Sequence, residues 1–247
     1  MDTFKILLAG DSAISIEFGN IINEDISRKV ISLNNILESQ PINGILETIP
    51  SYRSLLLEYN PEIIDFHSLS NLLKPLISNL ENQCNSLKEI IEIPVLYGDE
   101  FGQDIGTVAM TNNKTIDEVI KIHSSKLYLI YMLGFTPGFP YLGGVSDEIA
   151  TPRLKTPRLS IPAGSVGIAG TQTGIYPMVS PGGWQIIGQT PLKLYDESTE
   201  SPILLKAGQY IKFVSITKEE FDDISEKVKT HTYEYITYKE DVYAWEF

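Results

Sequence analysis

Three cations stand within six residues of an otherwise strongly acidic chain: Arg153, Lys155 and Arg158, in the run Thr151-Pro-Arg-Leu-Lys-Thr-Pro-Arg-Leu159. The formal net charge of the 247 residues is -13, and the chain has four arginines in all. The planar fork of arginine suits a carboxylate or a phosphate, so this doubled Thr-Pro-Arg-Leu is a candidate anion site. Behind it, the 34 residues from Leu159 to Leu192 carry no charge. Seven of the 18 glycines lie there, among them Gly164, Gly167 and Gly170. Fixed turns of this kind can present backbone N–H groups to an anion. The competing reading is a solvated loop, or arginines paired with Asp147 and Glu148.

Other side chains could complete a site. Phe135, Phe139, Tyr141, Tyr176 and Trp184 could wall a pocket for a small organic ring, although each alone is more often core. Ser165, Ser180, Gln172 and Gln185 could orient a substrate. His123 falls near the end of a predicted helix, four residues after Val119, and reads either as a capping or packed histidine or as a general base. The glycine-rich span offers no carboxylate, whereas phosphoryl transfer normally recruits one. Asp147 or Glu148 would have to supply it, or another chain. Gly164–Thr171 lacks a Walker lysine, and no serine sits in a G-x-S-x-G elbow. His67 and His231 show no metal-ligand spacing with His123, so no protein-built metal site is expected.

The elements that must position these residues follow from periodicity. Phe4–Ala9 and Ala13–Phe18 read as strands about a Gly10-Asp11-Ser12 turn. A helix from about Asn23 has Ile22, Ile26, Val30, Leu33 and Leu37 on one face. Strands at Ile45–Ile49 and Leu55–Tyr59 follow. A helix over Asp65–Leu80 directs Leu69, Leu72, Leu73, Leu76 and Leu80 inward, with Pro75 expected to kink or split it. These elements make residues 1-87 a small α/β domain.

Beyond a strand at Glu89–Tyr97, Thr115 and Glu118 form a capping box for the next helix. Leu127–Leu133, Val166–Ala169, Gln185–Gly188, Leu192–Tyr195, Ile203–Leu205 and Ile211–Ile216 then read as short strands of a closed or nearly closed β-barrel over residues 88-247. Lys218–Val228 reads as a helix, and Tyr233–Trp245 as a last strand or docking arm. The fold class is α+β. Leu127–Ser146 is uncharged, but Pro137, Pro140 and four glycines argue against a membrane span. The acidic balance argues against nucleic-acid binding. The run Ile6–Ala9 is too short for a signal peptide, and the single cysteine, Cys84, reads as structural or incidental. A cytoplasmic location is expected.

Several stretches together resemble one known family. They are Tyr131-Met-Leu-Gly-Phe-Thr-Pro-Gly-Phe-Pro-Tyr-Leu-Gly-Gly144, Thr156-Pro-Arg158, Ile161-Pro-Ala-Gly-Ser-Val-Gly-Ile-Ala-Gly170, Gln172-Thr-Gly-Ile-Tyr-Pro177 and Ser180-Pro-Gly-Gly-Trp184. The chain is similar, from Ile6 to about Ile216, to the bacterial 5-oxoprolinase B-subunit family, also called KipI or allophanate hydrolase subunit 1. The resemblance implies a small N-terminal α/β domain followed by a cyclophilin-like β-barrel. It implies work with a 5-oxoprolinase C-subunit of related barrel fold and with an A-subunit, opening 5-oxoproline to L-glutamate with ATP and Mg²⁺ in a site shared with a partner. The chain would then be inactive alone. It also implies His123 as acid/base or substrate contact, with Arg153 and Arg158 as catalytic anion contacts. Lys155, Gly164, Gly167 and Gly170 would form the anion or nucleotide cradle. Phe135, Pro137, Phe139, Ser165, Gln172, Tyr176 and Trp184 would contact substrate. One branch of the family instead inhibits a sensor histidine kinase, which stands as the alternative. Prolyl isomerisation rests on fold analogy alone.

Overall fold

The structure is a computed structural model that describes residues 4–80 and 87–241; Cys84 lies outside the described residues. The described residues divide into two units, the second running from Lys88 to Glu240 and the first holding residues 4–80, Leu87 and Asp241. In the first, β1 (Lys5–Leu8), β2 (Ala13–Glu17), β3 (Ile45–Pro50) and β4 (Ser54–Tyr59) pair antiparallel in the order β1-β2-β4-β3. The helices α1 (Glu24–Ser39) and α2 (Phe66–Ser78) bury Val30, Leu33, Leu37, Leu69, Leu73 and Ile77 with Ile14, Ile16, Leu55 and Leu57. Asn23 caps α1, its Oδ1 accepting from the amide of Asp25 at 2.7 Å.

Two expectations change here. Ile22 lies before the helix and Leu72 off its buried stripe, and both are exposed. Pro75 does not split α2, which runs on to Ser78. Pro75 and Asn71, whose carbonyl loses its partner, both face solvent, where water can replace the missing bond.

The second unit is built on seven strands: β5 (Leu87–Tyr97), β6 (Leu127–Leu133), β7 (Pro140–Gly143), β9 (Ser165–Ala169), β10 (Gln172–Ile175), β12 (Gln185–Gln189) and β13 (Tyr210–Ser215). They run in the order β12-β9-β10-β7-β6-β13-β5, and β12 returns to β5 through Gly188 opposite Tyr97, closing the barrel. Only β13 and β5 are parallel in this ring. Its interior is filled by Ile93, Val95, Tyr128, Ile130, Val166, Ile168, Ile175, Ile187 and Phe213. Closure removes the edges that would otherwise template aggregation.

Helices α3 (Ile105–Thr111) and α4 (Ile116–Ser124) pack against the barrel core through Ile105, Val108 and Val119. The expected capping box starts α4: the amide of Glu118 donates to Thr115 Oγ1 at 3.2 Å, and the amide of Thr115 to Glu118 Oε2 at 2.7 Å. A separate two-stranded ribbon, β8 (Arg158–Ile161) with β11 (Ser180–Gly182), stands outside the ring. The chain continues through α5 (Lys218–Lys229) to β14 (Thr237–Asp241), beside β5. The strands expected at Leu192–Tyr195 and Ile203–Leu205 are loop, joined by one bridge between Tyr195 and Ile203. Leu127–Ser146 folds as β6, a tight turn and β7. No described helix is long and apolar enough to cross a membrane.

Candidate functional site

Strand alternation sorts the glycine-rich span into two faces. On β10, Thr173 and Ile175 join the barrel interior, while Gly174 and the following Tyr176 belong to the outer face. On β9, Val166 and Ile168 point in, and Gly167 and Ala169 lie beneath the outer rings. There Phe139, Tyr176 and Trp184 form a second cluster with Ile161, Ala169 and Ile186. The Phe139 centroid is 5.3 Å from Tyr176 and 5.6 Å from Trp184, both edge-to-face, as ring quadrupoles prefer.

The rings explain the glycines. A Cβ on Gly174 would stand 3.0 Å from Trp184 Cζ3 and 3.1 Å from Phe139 Cζ, and one on Gly182 would strike the Tyr176 hydroxyl. The expected backbone cradle for an anion is therefore corrected. Gly164 already donates its amide to Tyr176 O at 2.7 Å, and Gly170 donates to Thr151 O at 2.8 Å. Gly167 lies in the ladder between Gly174 and Ile186. These residues make room for side chains and complete turns.

Arg158 opens β8, and its fork grips Asp104: Nη2 donates to Oδ1 at 2.7 Å and Nη1 to Oδ2 at 2.9 Å. Asp104 is buried, and its Oδ2 also accepts from the amide of Ile186 at 2.7 Å. The carboxylate thus joins the residue before α3 to β8 and β12. This corrects Arg158 as an anion contact, because its fork is already filled by the protein's own carboxylate. It also corrects the alternative pairing with Asp147 or Glu148, since Glu148 binds Lys114 at 2.6 Å. Arg158 is a positioning residue for the ribbon.

Arg153 has a different setting. Its guanidinium lies 5.7 Å from the Trp184 ring centre, and no carboxylate among the described residues stands within ion-pair distance. Phe135, Phe139, Tyr141, Tyr176, Trp184 and Arg153 surround an open cavity of about 220 Å³, completed by Pro157, Pro181, Gly182 and Gly183. Larger clefts lie beside α5, about 400 Å³, and in the N-terminal unit, about 380 Å³, but neither brings a guanidinium to aromatic faces. Burial raises the pKa of the Tyr176 hydroxyl, against the pull of the Trp184 amide and Arg153, so it stays a protonated donor at neutral pH.

Phe135 stands at the lip with its ring edge-on to Phe139, 5.6 Å between centroids. Its φ is +66°, a left-handed conformation unfavourable for a bulky side chain. The turn that imposes it is held by Gly134 N donating to Phe139 O at 3.1 Å and Phe139 N donating to Thr136 O at 3.1 Å.

The barrel interior holds the other expected catalytic residue, His123, and seals it completely. Its Nδ1 meets the Tyr97 hydroxyl at 2.8 Å and its Nε2 meets Thr173 Oγ1 at 2.9 Å. Thr173 gives its own proton to Gly167 O at 2.9 Å. The ring therefore carries its proton on Nε2, and the direction runs Tyr97 O–H to His123 to Thr173 to Gly167. Phe213 stacks on the ring at 4.5 Å. Burial, then the nearby Lys126, drives the imidazole pKa from 6.5 to about 3, so it is neutral. The expectation of His123 as acid/base or substrate contact is corrected: no ligand reaches a fully buried ring whose nitrogens are both engaged.

The remaining expected site residues are scattered. Ser165 is buried in β9, its carbonyl accepting from Tyr176 N at 2.9 Å. Gln172 pairs with Gly143 and Ala169 in the sheet. Neither these two nor Pro137 nor Lys155 lines the pocket. Asp147 and Glu148 do not line it either. Asp104, Tyr97 and Thr173 carry no local mark in the sequence, because each is defined by a partner at least 26 residues away.

Comparison with known proteins agrees with this architecture. The family model for the carboxyltransferase domain, subdomain C and D, matches residues 4–205. The 5-oxoprolinase B-subunit of Bacillus subtilis (strain 168) is 44% identical over 234 residues, which is 91% of this chain and 98% of that protein. The crystal structure of TTHA0988 superposes with a TM-score of 0.75 at 36% identity, over 83% of this chain and 40% of that one. The urea carboxylase of Kluyveromyces lactis shares the fold, with a TM-score of 0.71 at 22% identity over 96% of this chain and 24% of the other.

Proposed function

The chain belongs to the carboxyltransferase-domain subdomain C and D family and, within it, to the 5-oxoprolinase B-subunit proteins, and on that premise we propose that it is the B-subunit of an ATP-dependent 5-oxoprolinase. In this reading it acts with a C-subunit and an A-subunit to activate 5-oxoproline and open its ring to L-glutamate. The observation that carries the reading is the 44% identity across 98% of a protein of that name.

The pocket supports it in form. Aromatic walls and one guanidinium can hold a small ring bearing a negative charge. The walls also lack something the reaction needs. Phosphoryl transfer uses carboxylates to hold Mg²⁺ and to orient the attacking group, and none of the lining residues is acidic. Among the described residues no group of three or more His, Cys, Asp or Glu is placed to hold a metal. The described residues do not by themselves fit a magnesium–nucleotide centre, and in this reading a partner chain would supply those groups. In TTHA0988 and the urea carboxylase the matching region is 40% and 24% of the polypeptide, so there the same fold is joined to further chain.

The contribution of this chain would be to bind and orient the ring acid against Trp184 and Tyr176 and to keep it out of bulk water. The test is reconstitution. The chain mixed with its purified A- and C-type partner subunits is expected to release glutamate from 5-oxoproline only with ATP and Mg²⁺, and the chain alone to release none. Absence of glutamate from the complete mixture rejects the reading.

A further inference from the structure

Resting on that reading, we propose that the two substrates are held apart: the pocket beside Arg153 takes the small ring acid, and the nucleotide binds outside that pocket.

Size argues first. The cavity of about 220 Å³ falls below the range of pockets that hold drug-sized ligands, roughly 300–1,000 Å³. A five-membered ring with a carboxylate suits it, and a nucleoside triphosphate is far larger.

Charge argues next. A triphosphate carries several negative charges and needs several cations or a nest of amides. This pocket offers one cation. Arg158 is filled by Asp104, Lys155 lies outside the lining, and the amides of Gly164 and Gly170 already donate to Tyr176 O and Thr151 O. A single carboxylate matches a single available guanidinium. Arg153 lies near the Trp184 ring, and its fork is not taken by any carboxylate among the described residues.

The walls argue third. Trp184 and Tyr176 line the cavity as largely buried aromatic rings, an apolar surface suited to a small ring, while the exposed Arg153 borders it. Phe135, exposed at the lip in a strained backbone conformation, is placed to cover the ring once it is bound.

Trp184 reports directly on this pocket. The chain has one other tryptophan, Trp245, so full-length Trp245→Phe leaves a single indole. Titration of this variant with 5-oxoproline is expected to change its fluorescence saturably, while ATP, with or without Mg²⁺, produces no saturable change. Arg153→Gln is expected to weaken 5-oxoproline binding by about tenfold or more, the size of a lost hydrogen bond to a charged group, and Arg153→Lys to restore part of it. In the assembled enzyme Arg153→Gln should raise KM for 5-oxoproline and leave KM for ATP unchanged.

The proposal is overturned by saturable ATP binding that competes with 5-oxoproline, by no saturable response to 5-oxoproline, or by an Arg153→Gln variant that raises only the KM for ATP. Any of these, in an assembly that still makes glutamate, leaves the 5-oxoprolinase reading standing and removes only the division of ligands.

Discussion

Two clusters of polar and aromatic side chains lie on opposite faces of the barrel wall, one inside it and one outside. Inside the barrel, His123, Tyr97, Tyr128 and Thr173 pack against Phe213 with both imidazole nitrogens bonded. Outside, Phe139, Tyr176 and Trp184 pack as tightly but leave a cavity, a guanidinium without a carboxylate and a strained phenylalanine at the rim. One step along β10 separates the two, from Thr173 to Gly174. The inner group contains the residue type most associated with acid–base chemistry, yet it is structural. The outer group contains no base at all, and its rings are themselves buried, yet it borders an open cavity at which Arg153 and Phe135 are exposed. An open cavity bordered by an exposed guanidinium, rather than residue type, singles out the outer face as the candidate site.

The largest effect is expected at the joint between the two faces. Asp104 is buried, and Arg158, a quarter exposed, neutralises it. Removing one partner of such a pair leaves an uncompensated charge. Arg158→Ala is expected to lower unfolding stability by about 3 kcal/mol, measured by denaturant titration. Arg158→Met with Asp104→Asn should recover part of that loss, which a solvated arginine would not allow. Because the pair ties β8 to β12, the Trp184 emission of Arg158→Ala, read in the Trp245→Phe background, is expected to shift to the red in the folded state. An unchanged denaturation midpoint would return Arg158 to the ligand-contact role.

The inner face can be tested by pH. Neutral His123 in the fold has a pKa of about 3 against 6.5 ordinarily, so the unfolded chain binds the proton more readily. Stability from this group is complete above about pH 6.5 and falls as pH drops toward 3, by ~1.4 kcal/mol per unit. From pH 7 to pH 5 the loss is ~2 kcal/mol. The slope is expected to be shallower in His123→Gln than in the wild type, with His67 and His231 common to both. Equal slopes would mean that His123 is not sealed. Activity of the assembled enzyme should show no pH dependence that follows this ring.

These faces are unequally legible in the sequence. The helices and the barrel strands with apolar alternation can be read because burial imposes periods of 3.6 and 2. The outer pocket is half legible: four of the seven expected substrate contacts, Phe135, Phe139, Tyr176 and Trp184, do line it. Large rings within a glycine-rich span must pack somewhere, and the glycines show how closely. Arg158 misleads because its partner is 54 residues away, and nothing local to Asp104 announces it. His123 misleads although a signal exists. It follows Val119 by one helical repeat, which puts it on the buried face of α4, and that spacing outweighs its capacity for proton transfer.

Phe135 offers the smallest change in stability and the sharpest separation of the two faces. A non-glycine residue held at φ +66° stores about 1–3 kcal/mol of strain, and the exposed ring returns little of it by burial. Phe135→Gly relieves the strain but adds backbone entropy to the unfolded chain, by about 1 kcal/mol. The two nearly cancel, so the variant is expected to unfold within about 1 kcal/mol of the wild type, or slightly later. Phe135→Ala keeps the strain and loses the same ring, so it should be less stable than the glycine variant. Both remove the lip, and both should raise KM for 5-oxoproline in the assembled enzyme by a similar factor. If the strain serves the pocket, stability will rank glycine above alanine while KM does not separate them. If alanine and glycine are equally stable, the backbone there is relaxed, and the ring at the rim is an ordinary surface phenylalanine.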